Sequence, residues 1–201
     1  MFSLPRIYLA SKSPRRRELL NQIAVDFSVL LLREKQPRGP DVSEATRIGE
    51  APADYVQRIA REKAEVGWLR VQQRGLPKRP VLAADTAVCL GARVFGKPID
   101  TADAREILRE LSDNEHRVLT GVCVRQEARE YVALSENFVR FRALKDAEID
   151  AYVATGEPMD KAGAYAIQGL AAGFVSELRG SYSGVMGLPL FETVSLLQKL
   201  R

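Results

Sequence analysis

The sequence is poor in the residues that build disulfide frameworks and transition-metal sites. Its 201 residues include 2 cysteines and 1 histidine. Cys89 and Cys123 lack the short CxxC spacing of zinc sites, so we expect neither a zinc site nor a disulfide framework. His116, as the sole histidine, is interpreted as a structural residue rather than the centre of a Ser-His-Asp triad. Any metal is expected to be a hard ion on carboxylate oxygens, magnesium or manganese.

Long apolar runs are missing as well. No stretch approaches the roughly 18 uninterrupted apolar residues of a membrane helix. The first ten residues show no basic leader followed by a sustained apolar region. We therefore expect a cytoplasmic protein with no membrane partner.

Charge is only slightly unbalanced. The chain has 30 Lys+Arg against 26 Asp+Glu, a net charge of +4. No block of five or six like charges occurs, which favours a solvated, arginine-rich surface over a nucleic-acid partner.

What is present is an ordinary globular composition, 46% hydrophobic and 28% charged, which predicts one domain over 1–201. The apolar pattern predicts strands over 7–10, 25–32, 81–90, 116–125, 131–141 and 173–178. It predicts helices over 14–23, from 52 to a stop at Gly75 and Pro77, and over 102–111, 146–154 and 188–200, with Ser13 and Thr101 as N-caps and Phe191 facing inward. This order predicts an α/β fold with a mixed sheet flanked by helices.

Charged side chains occur at three places that packing alone does not explain. Asp85 interrupts the apolar strand 81–90, where a carboxylate costs several kcal/mol unless it is paired, hydrogen-bonded or metal-bound. Lys63 falls on the apolar face of the helix that begins at Pro52, so it either snorkels at an edge or serves a site. Arg15–Arg17 oppose the positive end of their helix dipole, which indicates an anion nearby. For Asp85, the alternative is an acid paired with a core arginine.

Two phosphate-binding motifs fail on inspection. The segment 91–98 has the spacing of a P-loop, but Pro98 replaces the serine or threonine and offers neither a hydroxyl nor an N–H. Lys97 remains available to a phosphate. The segment 61–67 resembles the end of a Nudix box, but its second acid and its glycine are out of place, so we reject it.

The remaining candidates are an arginine-rich helix start, two acids, three lysines and a glycine-rich loop at 156–169. These residue types fit a polyphosphate held by cations, with carboxylates carrying a divalent metal and activating water. The individual residues are Glu44, Asp85, Lys63, Lys97, Lys161 and Gln168.

Six blocks of this sequence resemble the Maf nucleoside triphosphate pyrophosphatases, in family order and across nearly the whole chain. The blocks are LASKSPRR at 9–16, YVQRIAREKA at 55–64, AADT at 83–86, GKP at 96–98, DKAGAYAIQG at 160–169 and GSYSGVMGLP at 180–189.

The resemblance implies a Maf/inosine-triphosphatase-like fold and a metal-dependent reaction that cleaves a nucleoside triphosphate to the monophosphate and pyrophosphate. Asp85-Thr86 and the Ile-Gln-Gly at 167–169 are similar to the branch acting on dTTP and UTP, whereas the 7-methyl-GTP branch tends to carry Asp-Gln and an acidic residue. The family's general base corresponds to Asp85. Its specificity positions correspond to Arg15, Thr86 and Gln168.

From these residues we form a mechanistic hypothesis. Glu44 and Asp85 hold the magnesium or manganese ion, and Asp85 also orients the attacking water. The triphosphate is stabilised by Ser11, Arg15, Arg16, Lys63 and Lys97. The Gln168 amide can donate one hydrogen bond and accept another, which matches the imide edge of uracil or thymine if neighbours fix its orientation. An apparent insertion at 31–40 precedes Glu44, and Ser43 stands where the family commonly has a second acid.

Three alternatives stay open. The first is a basic nucleic-acid-binding protein without hydrolytic activity. The second is a 7-methyl-GTP pyrophosphatase, and the third is a pyrophosphatase for noncanonical purine triphosphates. Modified pyrimidine nucleotides are further candidate substrates, because one imide-reading pocket can tolerate changes at the 5-position. The resemblance alone implies a homodimer.

Overall fold

The structure is a computed structural model that describes residues 4–33 and 40–200. Residues 1–3, residues 34–39 of the apparent insertion and residue 201 lie outside the described residues. Within the described part of the chain, no helix is long and apolar enough to span a membrane.

The described residues form seven strands. They are β1 Ile7–Leu9, β2 Phe27–Val29, β3 Val81–Leu90, β4 Arg93–Phe95, β5 Glu115–Gln126, β6 Arg129–Phe141 and β7 Val175–Arg179. The strands form one mixed sheet in the order β2-β1-β3-β5-β6-β7, with β4 paired to β3. β1 is parallel to β2 and β3, and the other pairs are antiparallel. The α/β class and the mixed sheet predicted from the sequence are confirmed.

Helices cover both faces of the sheet. They are α1 Pro14–Gln22, α2 Pro52–Gln73, α3 Thr101–Leu111, α4 Asp146–Ala154, α5 Tyr182–Met186 and α6 Leu190–Gln198, with 3-10 turns at Ala162–Ala164 and Leu170–Phe174. Alternate residues of β1 and β3 pack against α1 and α6 on one face and against α2 on the other. At the far end of the strands, α3 and α4 complete the core of the first face.

The prediction of helix caps and faces was partly wrong. Ser13 caps α1 as predicted, accepting from the backbone N–H of Arg16 at 3.4 Å. α3 is capped by Asp100 and not by Thr101, because the carboxylate accepts two N–H groups and also matches the helix dipole. Phe191 is 80% exposed, since the buried stripe of α6 begins at Thr193, about two hundred degrees around the helix.

Strand and helix limits also differ from those predicted. β2 keeps three of its eight predicted residues, because its partner β1 is itself only three residues long. The strand predicted over 173–178 begins at Val175, after the second 3-10 turn. Short elements β4 and α5 were missed, since three to five residues carry too little periodicity to be recognised.

Helix α2 lies unusually close to the sheet at one point. A side-chain carbon on Gly121 of β5 would come within 2.6 Å of the backbone oxygen of Val56. Gly121 pairs with Asp85 on β3, so the missing side chain brings α2 down on the strand that carries the candidate acid. This close approach places Lys63, two turns after Val56, within reach of Asp85.

His116 belongs to the core, as the sequence analysis expected. It is 1% exposed, its Nε2 lies 2.9 Å from the hydroxyl of Tyr165, and the rings of Tyr165 and Phe141 meet it edge-on. Burial lowers the pKa of His116 to about 4. Its role here is to hold the segment that follows the first 3-10 turn.

We predict that this histidine makes the protein less stable in mild acid. Between the unfolded pKa of about 6.5 and the folded pKa of about 4, the unfolded chain binds a proton that the folded chain excludes. The free energy of unfolding should therefore fall by roughly 3 kcal/mol as the pH drops through this window. Urea unfolding measures the loss, and the single imidazole resonance in NMR measures the pKa directly.

The control is His116→Phe, which keeps an aromatic ring against Phe141 and removes the titration. Its unfolding free energy should depend less on pH between about 6.5 and 4. A native imidazole that titrates near 6.5 would contradict the prediction.

Candidate functional site

The candidate site opens at a gap in the sheet. One edge of β3 is paired by β1 up to Leu82 and by β4 from Val88, and between them no strand within the described residues covers it. Asp85 and Thr86 lie in this gap and point to opposite faces of the sheet, Asp85 toward α2 and Thr86 toward α1. The polar interruption in an otherwise apolar strand therefore marks the point where β3 loses its neighbour.

A cleft of ≈ 970 Å³ lies over the gap. All the site residues predicted from the sequence line this one cleft, although they come from positions far apart in the chain. They are Ser11, Arg15, Arg16, Glu44, Lys63, Asp85, Thr86, Lys97, Lys161 and Gln168.

The centre of the site is a lysine held between two carboxylates. Lys63 Nζ lies 2.7 Å from Asp85 Oδ1 and 2.6 Å from Glu44 Oε1. Asp85 is 8% exposed, whereas the Glu44 side chain is 57% exposed at the cleft mouth. Asp85 is thus paired with a lysine, and the alternative of a core arginine partner is wrong.

The two carboxyls respond to this arrangement in opposite ways. Burial raises the pKa of Asp85, and the neighbouring Lys63 ammonium opposes the shift without cancelling it. Partial burial also pushes the pKa of Glu44 upward, but the charges of Lys63, Lys97 and Arg16 outweigh it and hold that pKa below its usual value. The pair therefore combines Asp85, a stronger base than an exposed aspartate, with Glu44, which stays ionised more readily than an ordinary glutamate.

The segment that carries Glu44 is fixed by α2. The Tyr55 hydroxyl donates to the backbone carbonyl of Glu44 at 3.0 Å. Arg58 donates to the carbonyl of Ala45 at 3.1 Å and forms an ion pair with Glu50 at 2.5 Å. These contacts place Glu44 opposite Asp85 although no regular element contains it.

The two ends of the apparent insertion are joined by a second ion-pair cluster. Asp41 accepts from the backbone N–H of Arg33 and from the Arg33 side chain at 2.9 Å. Arg70 of α2 donates to the same carboxylate and to the carbonyl of Leu31 at 2.8 Å. The two ends of the apparent insertion are therefore held together beside Arg70 of α2, and Asp41 lies three residues before Glu44.

Arg16 forms the opposite wall. Its Nε donates to the carbonyl of Gly187 at 2.8 Å, and its terminal nitrogens donate to the hydroxyls of Ser11 at 3.2 Å and Thr86 at 3.4 Å. Among the described residues these bonds leave one N–H on each terminal nitrogen. Burial lowers the pKa of Arg16, and Asp85 opposes that effect. The guanidinium is thus oriented by neutral acceptors and keeps two donors for an anion.

Three other cations line the cleft, and none of them forms an ion pair within the described residues. Lys97 is exposed after β4. Burial lowers the pKa of Arg15 and, together with the charge of Arg15, that of Lys161. The charge of Arg15 also lowers the pKa of Arg16. Cations close enough to affect one another in this way are typical of a site for a multiply charged anion.

Gln168 lies on the exposed side of the cleft. Within the described residues its side chain has no hydrogen-bond partner, so the fixed amide orientation that base discrimination needs is not built into the protein alone. The loop beyond it is held, because Glu157 accepts from the N–H of Leu170 at 3.2 Å and from the Tyr152 hydroxyl at 2.9 Å.

Sequence reasoning missed several residues that shape the cleft. Tyr55 was not among the predicted site residues, because no local pattern indicates that its hydroxyl bonds to the carbonyl of Glu44. Gly187 and Thr120 contribute through a backbone carbonyl and through a buried hydroxyl behind Thr86. Only the strand register, which pairs Thr86 with Thr120, could have pointed to the latter.

Comparison with known proteins gives consistent matches over the whole chain. A family model described as Maf-like protein matches residues 6–200. A dTTP/UTP pyrophosphatase from Nitrosospira multiformis is 57% identical over 194 residues, 96% of this chain and 94% of its own. One of the same name from Nitrosomonas europaea is 55% identical over 193 residues, 96% of this chain and 93% of its own.

A solved structure supports the fold alone. The Staphylococcus aureus Ham1 protein superimposes with a TM-score of 0.51 and 13% sequence identity, covering 98% of this chain and 100% of that one.

We predict that Lys63→Met destabilises the protein by about 3 kcal/mol at neutral pH, because it leaves the buried Asp85 carboxylate unpaired. Adding Asp85→Asn to Lys63→Met should recover most of the loss, since the uncompensated charge is then gone. Lys78→Met is the matched control, because its partner Glu127 and Lys78 itself are largely exposed. Urea unfolding measures all four proteins, and an equal loss in the single and double variants would contradict the pairing.

Proposed function

This chain belongs to the Maf family, and from that premise we propose that it hydrolyses dTTP and UTP to the nucleoside monophosphate and pyrophosphate. The observation that carries the proposal is the Lys63 ammonium between Asp85 and Glu44, opposite Arg16, in a cleft of ≈ 970 Å³. That volume is at the upper end of the roughly 300–1,000 Å³ typical of small-molecule sites. The names of the relatives support dTTP and UTP as the nucleotides removed from the pool. Modified pyrimidine nucleotides stay further candidate substrates.

Asp85 is the base of the reaction. A water molecule held by its carboxylate attacks the α-phosphorus, the bond between the α-phosphorus and the bridging α–β oxygen breaks, and pyrophosphate leaves. The water proton passes to Asp85, whose pKa is raised by burial. A raised pKa gives the ionised carboxylate greater proton affinity than an exposed aspartate has, which suits a general base.

The cations of the cleft bind the triphosphate and its leaving group. Arg16 presents two N–H donors that its protein contacts do not use, a geometry suited to phosphate oxygens. Ser11 adds a hydroxyl beside Arg16, and Lys63 and Lys97 add two further cations from the cleft lining. Because Arg16 is held in place by Gly187, Ser11 and Thr86 before the substrate binds, it stabilises developing negative charge without reorganisation.

The donor set fits a magnesium or manganese ion. The described residues hold no group of three or more metal-ligating side chains, but Mg²⁺ commonly uses one or two carboxylates and completes its shell with water and phosphate oxygens. Glu44 and Asp85 already converge on one cation, the Lys63 ammonium. We propose that they hold the metal, whose chemistry is to neutralise charge on the phosphates, and that Lys63 then turns toward the substrate.

Base selection is assigned to Arg15, Thr86 and Gln168, following the family resemblance. All three line the cleft. Gln168 can pair with the imide edge of uracil or thymine, but because no partner in the described residues fixes its amide, it does not exclude cytosine by itself. A cytoplasmic location, a homodimer and the single-domain organisation stay predictions.

The proposal is tested by incubating the protein with magnesium or manganese and dTTP, UTP, CTP, ATP, GTP or 7-methyl-GTP. Monophosphate and pyrophosphate are measured separately from inorganic phosphate. We expect pyrophosphate from dTTP and UTP. Cleavage of 7-methyl-GTP alone would overturn the branch, and salt-dependent nucleic-acid binding with no cleavage would favour the binding-protein alternative.

We predict that Asp85→Asn lowers kcat for UTP by about 100-fold to 10,000-fold, the usual contribution of a general base. Thermal unfolding should show that the variant stays folded, because an amide is less costly to bury than a carboxylate. Asp150→Asn serves as the control, since Asp150 is more than half exposed in a surface ion pair. Retained turnover in Asp85→Asn would remove Asp85 from the mechanism.

We also predict that Glu44→Gln weakens Mn²⁺ binding at least about tenfold, the smallest loss typical even of an outer-shell partner. Mn²⁺ titration followed by electron paramagnetic resonance measures it without turnover. Lys63→Met should bind Mn²⁺ more tightly than the unchanged protein, because the ammonium competes for the same two carboxylates. Glu65→Gln, an exposed change on α2, is the control. Unchanged affinity in both Glu44→Gln and Lys63→Met would place the metal elsewhere.

A further inference from the structure

A buried threonine lies directly behind Thr86. Thr86 on β3 is paired with Thr120 on the neighbouring strand β5, and their hydroxyl oxygens are 3.0 Å apart. Thr86 lines the cleft, whereas Thr120 is 0% exposed and cannot contact a ligand. Thr120 can therefore influence the cleft only through its hydrogen-bond partners, the Thr86 hydroxyl and the Gly184 carbonyl.

The direction of this hydrogen bond follows from the partners on either side. The Thr120 hydroxyl donates its single proton to the carbonyl of Gly184 at 2.8 Å. Thr120 can therefore only accept from Thr86, and Thr86 must be the donor between them. Arg16, which can only donate, bonds to the Thr86 oxygen at 3.4 Å. The Thr86 proton thus points away from the cleft.

The chain of hydrogen bonds is closed through the segment 180–187. Thr120 bonds to Gly184 of this segment, and the Arg16 Nε bonds to the Gly187 carbonyl at 2.8 Å. The segment is itself fixed from below, because Asn137 accepts from the N–H of Ser181 at 2.7 Å. Both ends of this series of hydrogen bonds therefore lie on one fixed backbone segment. The carbonyl of Gly184 can only accept and the Arg16 guanidinium can only donate, so the donor–acceptor direction along the series cannot reverse.

We propose that Thr120 is a positioning residue that makes the Thr86 hydroxyl an obligate hydrogen-bond acceptor toward the bound nucleotide. The inference rests on the proposed function. The group that Thr86 meets must then be a donor. In both dTTP and UTP, that donor is either the imide N–H of the base or the 3′-hydroxyl of the sugar, and cytosine presents an acceptor at the imide position instead.

The test compares three variants by kcat/KM for UTP, CTP and 3′-deoxy-UTP. Thr120→Val removes the hydroxyl at nearly constant volume, so the Thr86 proton is free to turn toward the cleft. Thr120→Ser keeps the hydroxyl. Thr193→Val is the matched control, because Thr193 is also 0% exposed and donates to a backbone carbonyl, that of Pro189 at 2.7 Å, in α6.

One of the two analogues, CTP or 3′-deoxy-UTP, lacks the donor that Thr86 meets. We expect the kcat/KM preference for UTP over that analogue to be the same in the unchanged protein, in Thr120→Ser and in Thr193→Val. In Thr120→Val that preference should narrow by about tenfold, the scale of a lost hydrogen-bond discrimination. Narrowing against CTP identifies the imide N–H as the donor, and narrowing against 3′-deoxy-UTP identifies the ribose hydroxyl.

A folded Thr120→Val that keeps both preferences would overturn the proposal. Should thermal unfolding show that Thr120→Val is not folded, Thr120→Cys provides the second variant, because its thiol is a much weaker partner for both bonds and must narrow the same ratio. Failure of the proposed function is seen separately, as absence of UTP cleavage in the unchanged protein.

Discussion

The ion pair between Lys63 and Asp85 is the constraint around which this structure is arranged. Asp85 follows Ala83 and Ala84, both 0% exposed, in a strand that would otherwise be a plain element of the core. A carboxylate there requires a cation within hydrogen-bond distance, and α2 supplies it at 2.7 Å. The helix reaches that position because Gly121 allows its backbone to touch the sheet.

The sheet topology gives the ion pair access to a ligand. β1 ends and β4 begins on the same edge of β3, so the strand passes through the cleft unpaired on one side. Consecutive residues, Asp85 and Thr86, then serve the two walls of the cleft from opposite faces of one strand.

The sequence predicted much of this site and part of its framework. Asp85 was identifiable because a charge in a buried strand is costly, and Lys63 because helical spacing put a cation on an apolar face. The long strands and helices followed from periodicity. Phe191 and Thr101 were misassigned, since the phase of a helix and the choice between adjacent capping residues depend on what packs against them.

The sequence by itself determined which chemistry this chain can carry out, because residue types, their costs of burial and the family blocks are local properties. Only the tertiary structure decided how the groups act on one another. That Lys63 joins two carboxylates, that Arg16 is oriented by Gly187, and that Thr120 sets the polarity of Thr86 all depend on contacts between residues far apart in the chain. Hydrogen bonds are directional and short, so a difference of an ångström that no sequence pattern encodes decides whether they form.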